Sequence, residues 1–414
     1  MNKIASVSRA AIAAALLLTG TSLSAAENIT LWTLNFSSEA ANKAFNAAVD
    51  GFKAANPGAE VTVVTRGTDD HKTAIRVAAG TDKGPDIYMM WAGLGLGGEY
   101  VKAGLSLPLD KYYAEYKWDD ELVSASGSFS RMYPGGRHGV PLSLSGEALY
   151  YNKALFAKAG ITSLPANYDE LVADAEKLKA AGIPAIAFGG TVNWHLMRLM
   201  DVILEAKCGA EKHDALTAMT LKWTEEACVT QSFSELQRWS KDYILSPFMG
   251  INDSQAFNLF LANRAAMMLE GDWLVQQLSE AGKLDEVDLF PFPTGTGRLY
   301  GFANYYYVSS KSKNPDLAAK FLDYLLSTPI QQSLLGASST TSVNKNVAYG
   351  EVHPMVKKWI DLFNTYDKVY LNGDQAFPLD VTTEYFRVIN EVGTGNMTPA
   401  DAAAAMQTFI SNKG

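Results

Sequence analysis

Charge and reactive side chains are both scarce in this sequence. Charged residues make up 19% of its 414 positions, 35 Lys and Arg against 44 Asp and Glu, for a formal net charge of -9. With no basic stripe to neutralise a phosphate backbone, nucleic acid is not an expected partner. Long apolar runs are missing as well. The run at 10–18 (AAIAAALLL) is under half of the roughly 20 residues needed to cross a hydrocarbon core, so it is not a membrane anchor. There are five histidines, His71, His138, His195, His213 and His353, and no pair has the spacing of a zinc-protease helix. Each reads as a surface or loop residue, and no metal site is expected. No G-x-S-x-G turn and no G-x-x-x-x-G-K-[ST] loop occurs, which removes a hydrolase elbow and a phosphate cradle. Residues 93–98 (GLGLGG) follow a strand but resemble a nucleotide loop only superficially, so no cofactor is expected. The carboxylates Glu147, Asp253, Glu270 and Asp272 could supply a glycosidase pair, yet each reads as surface charge, and no catalytic residue is nominated.

What is present begins with a leader. Lys3 and Arg9 precede the apolar run, and small residues continue to Ala26, the pattern of a cleaved export signal over 1–26 that would leave the mature chain in the periplasm. Removing two positive charges takes the mature chain from -9 to nearer -11. The cysteines are Cys208 and Cys228 alone. In an exported chain an even count at close spacing predicts one disulfide, contributing about 3 kcal/mol in the chain-entropy model.

Hydropathy patterning predicts an α/β protein. Residues 29–34 (ITLWTL) and 61–64 (VTVV) read as strands, and between them Ala41, Phe45, Ala48 and Phe52 recur at helical spacing up to Asn56-Pro57-Gly58. A third strand, 86–91 (DIYMMW), follows a helical segment carrying Ile75 and Ala79. The alternation continues through 139–144 (GVPLSL), 147–160 (EALYYNKALFAKAG), a helix from Asp169 to Ala181 capped by Asn167, and a strand in PAIAFGG. A long helical region is expected from about 195 to 282, with Trp223, Phe233, Leu236, Trp239 and Phe257 in its core. Residues 300–308 read as a strand, Asn314 and Pro315 start a helix, and Thr398-Pro399 start the last one. Strand and helix in alternation predict a parallel sheet covered by helices.

The aromatics carry the functional signal. Trp32 and Trp91 end strands, Trp194 follows Gly189-Gly190, and Trp273 follows Glu270-Gly271-Asp272. Ligands of doubly wound sheets bind beyond the carboxyl ends of strands, and an indole offers a flat apolar face to the C–H face of a sugar.

Five motifs in order extend this reading: 80–86 (GTDKGPD), 139–153 (GVPLSLSGEALYYNK), 160–178 (GITSLPANYDELVADAEKL), 263–273 (NRAAMMLEGDW) and 301–321 (GFANYYYVSSKSKNPDLAAKF). With them the chain resembles the extracellular solute-binding proteins of ATP-binding cassette sugar importers, the maltose-binding-protein-like group. The resemblance implies a two-lobed periplasmic-binding-protein fold, each lobe a mostly parallel sheet flanked by helices, with the ligand cleft between them. The lobes would comprise 27–142 plus 302–340 and 143–301 plus 341–414, with crossovers near Leu142, Gly301 and Ser339. It further implies a monomer that closes on a mono- or oligosaccharide and delivers it to a membrane permease. The implied ligand-binding set is Trp32, Asn35, Ser37, Trp91, Ser145, Trp194, Trp273, Asn304 and Asp374, with Trp273 stacking on the sugar. Where the group carries an Asp-Arg pair after the Trp91 strand, this chain has Leu94-Gly95, and a binding Glu of the group is Ser145 here. Both departures point away from maltodextrins, toward a different mono- or oligosaccharide or a sugar derivative, with an anionic or glycerol-linked ligand as the alternative. The competing reading is a secreted glycosidase or polysaccharide lyase with paired carboxylates, which turnover would reveal.

Overall fold

The computed structural model describes residues 27–36, 38–78, 81–335, 340–366 and 368–413. The predicted leader, Ser37, Ala79 and the crossover expected at Ser339 lie outside the described residues. Strands β1 (Glu27–Leu34) and β2 (Ala59–Arg66) pair in parallel along their whole length, and β3 (Ile87–Trp91) joins the other edge of β1, also in parallel. The helix between the first two, Glu39–Ala55, starts where the Ser38 side chain accepts from the Ala41 N–H, and it buries Ala41, Phe45, Ala48, Val49 and Phe52 against the sheet. The expected face is the buried one.

Among the strands of the described residues, parallel pairing is confined to that side and to one short strand, with isolated parallel bridges at Ile186 besides. Strand β4 (Val140–Asn152) lies antiparallel to β5 (Met267–Gly271), to β6 (Val287–Phe290) and to β7 (Leu299–Val308), while β7 is antiparallel to β3. The short β8 (Val369–Leu371) pairs with β7 in parallel, and the path through the sheet is β2-β1-β3-β7-β4-β5. The architecture is two-lobed. One apolar core gathers Ile29, Phe52, Met90, Tyr307 and Phe321; a second gathers Leu149, Met200, Trp223, Trp239 and Tyr385. The long strands β4 and β7 pass through both, with Leu144 and Phe302 packed in the first core and Leu149 and Tyr300 in the second.

Several expectations need correction. Residues 147–152 continue β4 rather than turning helical, because Glu147 to Tyr150 are buried between β5 on one edge and β7 followed by β6 on the other. The long helical region is broken into the helices Asn193–Thr217, Ala227–Asp242, Asp253–Leu261 and Leu274–Glu280, with β5 inserted before the last. All five β5 residues are buried, and a short run buried on both faces has no period to distinguish strand from helix. PAIAFGG forms only isolated bridges from Ile186 to Ile244 and Met267. Asn314 precedes the helix Pro315–Leu326, but its amide donates to the Asn28 carbonyl instead of capping. Trp223, Phe233, Leu236 and Trp239 are fully buried, whereas Phe257 is half-buried. Cys208 and Cys228 form the expected disulfide, which ties the helix Asn193–Thr217 to the helix Ala227–Asp242.

Four of the five histidines are interior, not surface. His71 Nε2 lies 2.8 Å from the Met89 carbonyl, His138 Nδ1 lies 3.0 Å from Ser106 Oγ, and His195 Nδ1 accepts from the Gly189 N–H at 2.7 Å. His213 is buried beside Glu205, 3.5 Å from its carboxylate, so each interior ring has a polar neighbour that makes burial tolerable. His353 alone among them stays near the surface, where it caps the helix Pro354–Thr365.

The glycine run after β3 has a packing cause. The backbone of residues 374–377, from the second lobe, lies directly on it, and the Gly95 N–H donates to the Gln375 carbonyl at 3.1 Å. A Cβ on Gly95 would stand 2.1 Å from the Phe377 carbonyl oxygen and 2.4 Å from that of Asp374. Gly95→Ala is therefore expected to force the two lobes apart at this seam, at about 1–3 kcal/mol for overpacking. Small-angle scattering of the unliganded protein should show a larger radius of gyration; an unchanged radius and melting point would count against the seam.

Candidate ligand-binding site

A cleft of about 720 Å³ separates the two cores. From the first lobe it receives Asn35 and Phe36 after β1, Lys72 from the helix Thr68–Ala78, and Trp91 at the end of β3. Ser143 and Ser145 reach it from β4 and Asn304 from β7. The pairing of β3, β7 and β4 sets Trp91, Asn304 and Ser143 in one row, because Trp91 is the partner of Asn304 and Asn304 the partner of Ser143. The Asn304 amide donates to Ser143 Oγ at 2.6 Å. From the second lobe come Trp194 and Arg198, one helical turn apart on Asn193–Thr217, then Asp272 and Trp273 after β5, and residues 372, 374 and 375. A Cβ on Gly271 would fall 1.8 Å from Trp273 Cζ3, so the indole can fold back over the strand end only because residue 271 is glycine.

Of the residues nominated from sequence, the cleft brings together Asn35, Trp91, Ser145, Trp194, Trp273, Asn304 and Asp374. Trp32 is elsewhere. It lines an adjoining groove against the helix Thr68–Ala78, with the Arg66 guanidinium 4.1 Å above its ring. Ser37 lies outside the described residues. Sequence reasoning missed Lys72, Arg198, Asn372 and Gln375, and it misread Glu147, Glu270 and Asp272 as surface charge; all three are buried, while Asp253 is exposed. The one available signal was the four-residue spacing of Trp194 and Arg198, which stacks an indole and a guanidinium on one helix face.

Those buried charges form the floor of the cleft. Arg198 Nε lies 3.0 Å from Glu147 Oε2, and Arg198 Nη1 donates to Glu270 Oε2 at 2.8 Å. His195 Nε2 is 3.1 Å from the other Glu270 oxygen; with Nδ1 accepting from Gly189, the ring proton sits on Nε2, close to that carboxylate. Burial drives the His195 pKa down, so the ring is neutral. Burial also pushes Glu270 up, but Arg198 and His195 outweigh it and hold the carboxyl below its ordinary value. For Glu147 burial wins over Arg198 and Asn372, raising it to about 7. Burial likewise raises Asp272 to about 7, and Asp201 to about 6 despite donors from Tyr300, Gly373 and Tyr385.

Five acceptor atoms at the cleft have no hydrogen-bond partner among the described residues: Asp272 Oδ1, Asn304 Oδ1, Asn372 Oδ1, Asp374 Oδ1 and Gln375 Oε1. The cations nearby are already engaged. Arg198 serves Glu147 and Glu270, while Lys72 Nζ lies 3.5 Å from Asp374 Oδ2 and 5.0 Å over the Trp91 ring.

The raised carboxyls make stability depend on pH in a definite direction. Carboxyls of an unfolded chain titrate near pH 4, so between about pH 4 and 7 the folded protein holds protons that the unfolded chain has lost. The contribution of Glu147, Asp272 and Asp201 is then full below about pH 4 and is lost as pH rises through 6 and 7. Burial lowers the pKa of His71, His138 and His195 and works the other way over the same range, so the expected result is a comparison: from pH 5.5 to pH 8 the urea midpoint of Asp272→Asn should fall less, or rise more, than that of the wild type.

The family model for bacterial extracellular solute-binding proteins matches residues 36–332. The chain belongs to that family. Among similar proteins, a solved chitin oligosaccharide binding protein superposes on this solute-binding protein with a TM-score of 0.84 and 26% identity, covering 94% of this chain and 98% of the other. The multiple sugar-binding protein of Streptococcus mutans is 24% identical over 306 residues, 70% of this chain and 69% of that protein. A protein of Brucella abortus named as a binding protein is 28% identical over 264 residues, which span 60% of this chain and 61% of that relative's length. Among the described residues of this solute-binding protein no helix is long and apolar enough to cross a membrane.

Proposed function

We propose that this solute-binding protein captures a neutral, hydroxyl-rich sugar, a mono- or oligosaccharide, by lobe closure in the periplasm and delivers it to the permease of an ATP-binding cassette importer. The observation that carries the reading is the set of unpartnered acceptors beside three indoles. Two of those acceptors, Asp272 Oδ1 and Asp374 Oδ1, belong to carboxylates. Buried acceptors left without donors are costly, and hydroxyls on a ring that lies against Trp91, Trp194 and Trp273 would supply them. An anionic ligand would meet the opposite situation, because Lys72 and Arg198 already have carboxylate partners. The sugar-binding and oligosaccharide-binding proteins among the relatives support the same class of ligand.

Binding without turnover is favoured over glycoside cleavage by the same geometry. Glu147 and Glu270 share one guanidinium, so neither stands free as an acid or a nucleophile. The ligand set becomes Asn35, Trp91, Ser145, Trp194, Trp273, Asn304 and Asp374, to which Lys72, Asp272, Asn372 and Gln375 are added. The lobes would run over 27–142 with 302–340 and over 143–301 with 341–414; the division of the two apolar cores supports this, although Val343 packs with the first core and moves the last crossover a few residues on. Closure about β4 and β7 would bury the ligand and create the surface a permease reads.

Native mass spectrometry of the exported protein as purified, followed by a thermal-shift screen of neutral and acidic sugars, tests the proposal. The expected result is one neutral sugar per chain, recovered chemically unchanged after prolonged incubation. Cleaved product, or stabilisation by acidic sugars alone, would overturn it.

A further inference from the structure

We propose that Arg198 is the positioning residue of this cleft: its guanidinium fixes both aromatic platforms and, through Glu147, the Asn372 amide, so that separate chain segments present one preformed surface. The guanidinium carbon lies 4.4 Å over the Trp194 ring and 5.2 Å over the Trp273 ring. Trp194 is one turn earlier on the same helix, whereas Trp273 arrives from the far end of β5. The two rings therefore share a cation as their common neighbour. Such a contact is directional, since a flat cation over an indole face opposes tilting of the ring.

The guanidinium is itself held from its edges. Glu147 and Glu270 sit on the adjacent strands β4 and β5, where Ala148 is the register partner of Glu270, and both carboxylates form ion pairs with the same Arg198. Glu270 is braced in turn by His195, and Glu147 accepts from the Asn372 amide at 3.0 Å. That last bond orients Asn372 so that its Oδ1 is one of the unpartnered acceptors of the cleft. The arrangement leads from Trp194 and Trp273 through one guanidinium and one carboxylate to Asn372, and every ionisable member is buried. A buried salt bridge adds little net stability over well-packed neutral side chains, so stability alone does not account for three charges beneath a binding surface. Positioning does.

The test separates position from stability. In the triple variant Glu147→Gln, Arg198→Met, Glu270→Gln the buried charge is removed at similar volume, and the melting temperature is expected to stay close to wild type. Trp194 and Trp273 are half-buried, as is Trp32, while Trp118, Trp223, Trp239 and Trp359 are fully buried. Acrylamide quenching of tryptophan emission therefore reads chiefly the exposed rings, and Trp32→Phe in every protein compared removes the bystander. Quenching is expected to rise in the triple variant despite its intact fold. Affinity for the tightest of maltotriose, chitotriose, xylotriose and raffinose is expected to fall about tenfold or more, because ring and amide must be ordered at binding. Arg198→Lys supplies the second variant: it keeps the charge between the carboxylates but has no flat face, and it should show the same rise in quenching. The inference is overturned if the folded variants keep wild-type quenching and affinity. It rests on the sugar reading only for its affinity arm. If wild-type protein binds none of the four probes and carries no neutral sugar as purified, that reading fails, and quenching still decides whether Arg198 positions the rings.

Discussion

Arg198→Ala is expected to destabilise the protein by about 3–5 kcal/mol, the cost of leaving buried charge without its partner. Both carboxylates lose their counter-ion at once, because Glu147 and Glu270 are bonded to the same side chain and both are buried. The deficit should itself depend on pH. Without Arg198 both groups rise, Glu147 further above the roughly 4 of an unfolded carboxyl and Glu270 from the lowered value that Arg198 helps to hold, so the variant binds protons on folding and loses stability as pH increases. Urea denaturation at pH 5.5 and pH 8 checks this. A variant only slightly weaker than wild type at both values would show that water reaches the floor of the cleft and that the charges are not dry.

Trp273→Ala is expected to act on binding more than on folding. The ring is half-buried and lines the cleft, with Phe302 5.7 Å and the Arg198 guanidinium 5.2 Å away as its aromatic and cationic neighbours. Its loss should weaken affinity for the copurified sugar by about 1 kcal/mol or more. Truncating a fully buried ring such as Trp239 should instead cost about 3–5 kcal/mol of stability and leave the cleft intact. Calorimetric titration combined with denaturation of the unliganded protein distinguishes the two. Unchanged affinity in a Trp273→Ala protein that melts far lower would make this residue part of the core and remove it from the site.

Much of the fold was legible before any coordinates. Phe45 and Phe52 share a face because their spacing is helical, Asn167 caps because its side chain reaches the first free N–H groups, and both helices fall where the sequence places them. The indoles of the cleft were legible for a related reason: Trp91 ends a strand, and strand ends are where such sheets leave room. Trp32 sits two residues before the end of its strand, and that offset turns it toward another groove. β5 was not legible, since five buried residues in a row carry no period.

The sequence by itself determined much of the local chemistry of this protein: where the first helix and the helix after Asn167 fall, that two cysteines in an exported chain join, and that indoles stand among polar side chains. Only the tertiary structure decided which charges are interior. Glu147 and Asn372 are 225 positions apart in the chain and meet beneath the cleft, while Arg198 reaches carboxylates on two neighbouring strands that are themselves more than a hundred residues apart in sequence order, β4 and β5. A carboxylate in water and a carboxylate under an indole have the same letter in a sequence. What separates them is desolvation, a property of everything packed around the group, and neighbours brought together from distant parts of the chain leave no periodic trace in it.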